Sequence, residues 1–374
     1  MTKTTTAPNV CSFTSQCVWH LEYENLCFAG KNSKPRDPFK IFYAATTDNP
    51  TMSKNEAILI TGAAGFIGQV LAAALLESSP DITLTLTDVT TPPAPASVSH
   101  HADRVTAASS DLTHLPAVES LLSTPFKAVY LLHGLMSGGA EANLELGWRV
   151  NWDSHRAILD QLRVHHPGTV VIFPSSLAVY GPTGPGEITS ESTNPLPQSS
   201  YGAQKLMVET YLNDFSRRGL LDGRIIRLPT VVVRPGAPSA AASSFASGII
   251  REPLQGQKST LPVSRDLEMW VCSPKTVVAN LIRIKDVPKE KFGLSRVLNL
   301  PGITVTVQQM LDAVEKTGGS QALSLIEEAR DTKVEAIVGS WPARFDTSRA
   351  QGLGLEADQT LVETVNEFAG SLSR

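Results

Sequence analysis

Tyr201 and Lys205 stand four residues apart in Ser200-Tyr201-Gly202-Ala203-Gln204-Lys205. On a helix that spacing puts a phenol and an ammonium on one face. Upstream, Ser175-Ser176 follows the apolar run 170–173, so both hydroxyls are expected at the carboxyl end of a strand. These three groups suit the removal of a hydride from an alcohol carbon, because the hydroxyl proton must leave with it. Ser176 would hold the substrate oxygen while Tyr201 takes the proton. A free tyrosine titrates near 10, too high for an efficient base at neutral pH, and the nearby Lys205 charge is expected to bring it down. Each residue alone also reads as ordinary helix surface or strand end.

A hydride needs an acceptor, and Ile58-Leu59-Ile60-Thr61-Gly62-Ala63-Ala64-Gly65-Phe66-Ile67-Gly68 offers a place for one. It joins an apolar β-branched stretch to a helical pattern through glycines spaced G-x-x-G-x-x-G. Gly62 permits the tight turn, Gly65 lets backbone approach a pyrophosphate, and Gly68 allows helix and strand to pack closely. The helix start adds N–H donors and positive potential, so Gly62, Ala64, Gly65, Phe66, Ile67 and Gly68 are the expected phosphate-side contacts. Asp88 ends the next strand, where a carboxylate would accept from the adenosine ribose hydroxyls and repel a 2′-phosphate; NAD is therefore expected rather than NADP. Asp111-Leu112 would meet the adenine, and His133 ends the strand expected beside the nicotinamide. Lys205 has a second job open to it on the nicotinamide ribose, and the positive charge of oxidised nicotinamide would also favour the Tyr201 phenolate.

Holding these groups together requires alternating strands and helices. Strands are expected at 57–61, 82–87, 128–132, 170–173 and 224–228, with helices at 66–76, 145–164 and 204–217. That alternation predicts an α/β fold with a Rossmann-type doubly wound parallel sheet. From Arg234 to about Asp266 the chain is rich in Pro, Gly and Ser and reads as an irregular segment packed over the site. Helical patterns at 274–284, 307–316 and 361–369, with a short strand at 297–300, complete a smaller C-terminal substrate-binding lobe. The expected division is an NAD-binding domain over 55–235 carrying the catalytic residues, and a lobe over 236–374 from which about 270–285 returns to the first domain. Residues 1–54 lack any sustained period and are expected to be a disordered extension, with Met52 an alternative start. Glu22, Glu24 and sparse arginines argue against a mitochondrial presequence.

Composition narrows the function classes. With 374 residues, 42% of them hydrophobic, the chain has ample material for a sizeable core. A net charge of -4 with no Lys/Arg run excludes the footprint of a nucleic-acid binder. No apolar run approaches the roughly 20 residues a bilayer span needs, and no signal-peptide order opens the chain, so a soluble, cytoplasmic protein is expected. Cys11, Cys17 and Cys27 lie far from Cys272 and lack a close Cys-x-x-Cys pair, so neither a disulfide framework nor a metal site is expected.

Taken together, Thr61-Gly62-x-x-Gly65-x-x-Gly68, Asp88, Ser176, Val179-Tyr180-Gly181 and Tyr201-x-x-x-Lys205 resemble the extended short-chain dehydrogenase/reductase family, also called the NAD-dependent epimerase/dehydratase family. The resemblance spans about 55–370. It implies that Ser176, Tyr201 and Lys205 are catalytic and that Asn151 matches the family's helix asparagine of the proton relay and active-site architecture; a packing or capping amide is the plainer reading of Asn151. Further segments, Ser137-Gly138-Gly139-Ala140-Glu141, Arg227-Leu228-Pro229-Thr230, Val233-Arg234-Pro235-Gly236 and 241–253, are similar to a branch that oxidises the C2 hydroxyl of a four-carbon sugar acid with NAD. This implies a small-molecule substrate touching Ser137, Ser176, Tyr201 and Arg234, and a cofactor contact at Pro229. The chain departs from the branch at His133-Gly134-Leu135-Met136. Arg234, Arg251 and Arg265 are the cations open to a substrate carboxylate. A nucleotide-sugar epimerase or dehydratase is the competing reading and a non-catalytic NAD-binding scaffold a third. The resemblance also leaves a homodimer open.

Overall fold

The computed structural model describes residues 56–184, 186–234, 236 and 241–372, and the expected N-terminal extension lies outside them. β1 (Glu56–Thr61) leads through the glycine loop into α1 (Phe66–Ser78), followed by β2 (Ile82–Asp88), β3 (Val105–Ser109), α2 (Leu115–Leu121) and β4 (Ala128–Leu131). Next come α3 (Ser137–Ala142), α4 (Leu144–Trp148), a π-helical turn (Arg149–Asp153) and α5 (Ser154–His165), then β5 (Val170–Ser176), α6 (Ser200–Arg217) and β6 (Asp222–Leu228). The rest contains β7 (Thr230–Val231), α7 (Ser244–Leu254), β8 (Ser259–Leu261), β9 (Glu268–Cys272), α8 (Pro274–Lys285) and β10 (Val297–Asn299). It ends with β11 (Ile303–Thr306), α9 (Val307–Leu323), β12 (Ile326–Glu328), α10 (Thr332–Val338), α11 (Ser348–Gly352) and α12 (Leu361–Leu372).

Seven parallel strands form one sheet in the order β10-β6-β5-β4-β1-β2-β3. Successive residues of β1 serve opposite faces, which is why its sequence is continuously apolar. Ile58 and Ile60 pack with Leu71 and Leu75 of α1 and Val277 and Leu281 of α8; Leu59 joins Val129, Phe173, Ile158 of α5 and Leu212 of α6 on the other side. The strand order reverses between β1 and β4, and a ligand crevice opens beyond the carboxyl ends at such a point. A separate core lies under the small sheet β11-β9-β7, where Val271 and Val305 pack with Ile249 and Ile250 of α7, Met310 and Val314 of α9 and Val365 of α12.

Three expectations need correction. The segment 234–266 is not wholly irregular: it contains α7 and β8. Gly248 and Pro253 dilute the apolar period there, yet Ala246, Ile249 and Ile250 are buried in the small-lobe core. The helix expected over 145–164 is broken by the π-helical turn, whose extra residue turns Asn151 inward until it is 1% exposed. The strand at 297–299 belongs to the main sheet, with Val297 opposite Ile225 of β6, so more of the C-terminal segment returns to the large sheet than 270–285 alone.

Candidate active site

The glycine loop is shaped by close approach. Gly62 has φ +68°, and a Cβ on it would sit 2.4 Å from the backbone nitrogen of His133. Only glycine lets β1 turn so tightly against the end of β4. The cavity beside it measures about 590 Å³ and is lined by Gly62, Gly65, Phe66, Asp88, Asp111, Leu112 and His133, among others. Asp88 accepts from the backbone nitrogen of Ala64 at 3.1 Å and of Val89 at 2.7 Å, which fixes its carboxylate at the cavity edge. Hydrogen bonds from the Thr113 hydroxyl and backbone hold the Asp111 carboxyl below its usual range. Gly68 is buried beneath the loop, and Ile67 faces a second cavity instead.

These residues fit NAD. The Cβ-free loop and the N-terminus of α1 would hold the pyrophosphate, Asp88 the adenosine ribose, and Asp111 and Leu112 the adenine end. His133 needs a different account. Its Nδ1 lies 2.7 Å from Thr61 Oγ1 and its Nε2 2.9 Å from Ser154 Oγ, while its ring stacks on His155 at 4.0 Å. Both ring nitrogens are thus engaged within the protein. Burial, helped by the Lys205 charge, pushes this imidazole down to about 3, so it is a neutral prop for the cavity wall.

The second cavity, about 200 Å³, shares Leu132, Met136 and Arg234 with the first. The two spaces therefore adjoin. Ser137, Ser176, Tyr201, Lys205, Pro229 and Arg234 all line the smaller one. Local sequence explains how Tyr201 meets Ser176. Ser199 Oγ accepts from the Gly202 nitrogen at 3.2 Å and starts α6, so Tyr201 falls in its first turn and Lys205 one turn later. Any Cβ on Gly202 would come within 2.1 Å of the Ala178 carbonyl oxygen, and its absence lets α6 lie against the turn after Ser176. Ser176 hydrogen-bonds the Tyr201 phenol and also accepts from the Ala178 nitrogen at 3.1 Å.

The electrostatics differ from the sequence-based expectation. Burial pushes the Tyr201 phenol up to about 12, while the Ser176 hydrogen bond and the Arg234 charge pull it down. The Lys205 Nζ lies 5.7 Å from the centroid of the Tyr201 ring. The same Nζ donates to the Pro174 carbonyl at 2.9 Å, and burial brings it down to about 8 against the upward pull of Glu209. Glu209, one turn further along α6, is itself bound by Arg227, which also donates to the Tyr180 hydroxyl; this buried set pins α6 to β6.

Of the three expected carboxylate-binding arginines, Arg234 alone lines the smaller cavity, while Arg251 lines the larger. Burial and then the charge of Arg251 push the Arg234 guanidinium down, and it borders both cavities. Arg251, 3% exposed, donates to the Arg234 carbonyl at 2.6 Å and so holds the backbone that presents Arg234. Arg265 is about half exposed and pairs with Glu328 away from either cavity. Ser137 Oγ accepts from the Ala242 nitrogen at 3.2 Å, tying α3 to the segment before α7. Asn151 lines neither cavity. Its Oδ1 accepts from the Leu135 nitrogen at 2.7 Å and its Nδ2 donates to the Leu135 carbonyl and to Gln204 Oε1, so it clasps the loop after β4 to α6. Its hydrogen-bond partners are thus Leu135 and Gln204. Trp341, which also lines the smaller cavity, escaped sequence reasoning because nothing near it in the chain carries a motif.

A doubly wound sheet, a glycine cradle with an acidic strand end, and Ser, Tyr and Lys beside an adjoining cavity define an NAD-dependent oxidoreductase. The chain belongs to the NAD dependent epimerase/dehydratase family, which residues 58–272 match. It is 41% identical to a D-erythronate dehydrogenase of Cupriavidus necator over 83% of this chain and 97% of that one. A D-erythronate dehydrogenase of Haemophilus influenzae is 39% identical over 83% and 98%. Among solved structures, a nucleoside-diphosphate-sugar epimerase from Agrobacterium tumefaciens superposes with a TM-score of 0.77 at 36% identity, covering 83% of this chain and 92% of that one.

Proposed function

We propose that this protein oxidises the hydroxyl next to the carboxylate of a small sugar acid, D-erythronate or a close analogue, with NAD as the oxidant. The observation that carries the reading is the 200 Å³ cavity in which Ser176, Tyr201 and Arg234 meet. Pockets for drug-sized ligands run from roughly 300 to 1,000 Å³, so this one suits a few-carbon molecule better than a nucleotide sugar. A cation beside an acid/base tyrosine suits a hydroxy acid. Two relatives near 40% identity that carry the D-erythronate name add support.

When bound, NAD supplies the acceptor for the hydride leaving the carbinol carbon. Ser176 donates to the substrate oxygen and keeps it against the Tyr201 phenol. Tyr201 takes the hydroxyl proton as the carbonyl forms and returns it in the reverse reaction. Arg234 holds the carboxylate, and being half-buried it does so with reduced competition from water. Lys205 keeps the Pro174 strand end and α6 in register and, with donors to spare, borders the smaller cavity.

Incubation with NAD and a panel of sugar acids, polyols and nucleotide sugars tests the reading. Reduced cofactor should accumulate with four-carbon acids and not with nucleotide sugars. Isomerisation of a nucleotide sugar without net cofactor reduction would replace the dehydrogenase reading with the epimerase one. Among the described residues no helix is long and apolar enough to cross a membrane. The same reading assigns the enzyme to the cytoplasm, where NAD and free sugar acids meet, and cell fractionation checks it.

A further inference from the structure

We propose that Trp341 sets the upper limit on substrate chain length. The inference rests on the hydroxy-acid reading above and deepens it. A substrate whose carboxylate lies on Arg234 and whose carbinol lies at Ser176 and Tyr201 has one free end, and added carbons must extend from that end. In a cavity of about 200 Å³ the extension soon meets a wall. Trp341 and Tyr201 are the aromatic residues among the described lining, and Tyr201 is committed to the chemistry. An indole face suits the C–H side of a polyol, and its bulk occupies the space a longer chain would need.

Whether a wall discriminates depends on whether it recedes, and this one is fastened along its length. The Trp341 nitrogen donates to the Val338 carbonyl at 3.3 Å, and the side chain packs on the core that contains Val338. The residues just after it are held from two directions. Thr304 donates to the Ala343 carbonyl at 2.6 Å, and the Arg344 guanidinium grips both oxygens of Glu268. The Arg344 carbonyl accepts from the Thr189 nitrogen at 2.9 Å, and the Asp346 nitrogen donates to the Thr189 carbonyl at 2.8 Å. Phe345 stacks on Trp270 with centroids 3.6 Å apart and meets the Tyr180 ring edge-on at 5.7 Å. The strap bearing Trp341 is thereby locked to the small sheet on one side and to the 189 segment on the other.

The test compares kcat/KM for four-, five- and six-carbon 2-hydroxy sugar acids, with NAD, in the wild type, Trp341→Ala and Trp341→Phe. A single misfit group in a close-fitting pocket is worth about 10- to 200-fold, so Trp341→Ala should raise the six- to four-carbon ratio by at least about tenfold, mostly through KM. Trp341→Phe keeps an aromatic ring on the Val338 core and should shift the ratio the same way by less, which covers the case in which the alanine variant fails to fold. The Kd for NAD should not change in either. A ratio that stays at the wild-type value in folded variants that still oxidise the four-carbon acid overturns the role of Trp341 alone. Absence of hydroxy-acid oxidation in the wild type overturns the underlying reading and this inference with it.

Discussion

The two adjoining cavities are built on different principles. The larger is walled by strand ends and a glycine loop, so its shape follows from backbone geometry: a positive φ at Gly62, the N-terminus of α1, and a carboxylate at the end of β2. The smaller is walled by side chains brought from Ser137, Ser176, Tyr201, Arg234 and Trp341, five separate stretches of chain. A backbone-built site is inherited with the fold. A side-chain-built site is free to differ between relatives that share it, which is how one architecture serves both relatives named dehydrogenases and a structural neighbour named an epimerase.

Substitutions should therefore separate the cavities cleanly. The largest effect is expected from Tyr201→Phe, which removes only the proton-carrying oxygen: turnover should fall by about 10² to 10⁴ while NAD titration gives the wild-type Kd. Retention of more than about a tenth of turnover would remove Tyr201 from the acid/base role. Arg234→Met should follow. Loss of a charge-assisted hydrogen bond is worth about 1.5–3 kcal/mol, so KM for the acid should rise roughly 10- to 100-fold. The same substitution has a signed effect on the pH profile. Arg234 pulls the Tyr201 phenol down, so its loss should move the rising limb of the oxidation rate to higher pH, and an unmoved limb would show that this cation does not act on the tyrosine.

Asp88→Ala touches only the larger cavity. NAD affinity should fall by about tenfold and the preference over NADP should relax, since both an acceptor and a repelling charge are lost. Parallel titrations with the two cofactors read this ratio, and kcat with saturating NAD should stay close to wild type. The smallest effect concerns the wall between the cofactor and the core. His133 is held down to about 3, and His155 well below its ordinary value by burial and the neighbouring His133. Unfolded histidines take up a proton below about 6.5, whereas these do not, so the folded state is fully stable above that pH and loses ground as pH falls toward about 3. For His133 this amounts to at most about 1.4 kcal/mol per pH unit across that window, and His155 adds to it in the same direction. Urea midpoints at pH 7 and 5 measure it, and a His133→Asn variant should show a shallower fall.

The same contrast explains what could be read from the chain. The positions of Gly62, Asp88, Ser176, Tyr201 and Lys205 beside the cavities were legible because each stands where local sequence puts it: a turn, a strand end, the first two turns of a helix. α7 was hidden because Gly248 and Pro253 lie within it and its flanks are rich in Pro, Gly and Ser, while burial against α9 holds it helical. The choice among Arg234, Arg251 and Arg265 needed three dimensions, since only packing assigns Arg234 to both cavities, Arg251 to the larger one and to the backbone carbonyl of Arg234, and Arg265 to the surface. The Lys205 hydrogen bond to the Pro174 carbonyl was not legible from spacing, because that partner comes from another strand. His133 likewise finds its partners, Thr61 and Ser154, on two other elements.

The placement of β10 at the outer edge of the main sheet has a consequence for biosynthesis. β6 leaves the ribosome long before its edge partner at Val297–Asn299. At roughly 5–20 residues per second, the intervening 70 or so residues leave that edge uncovered for several seconds. A nascent chain in that interval presents free N–H and C=O groups flanked by Ile225 and Ile226, a template for pairing with a neighbouring chain. Truncations ending before residue 297 would make that transient exposure permanent, and their yield of soluble protein should depend on holdase chaperones in a way the full chain's does not.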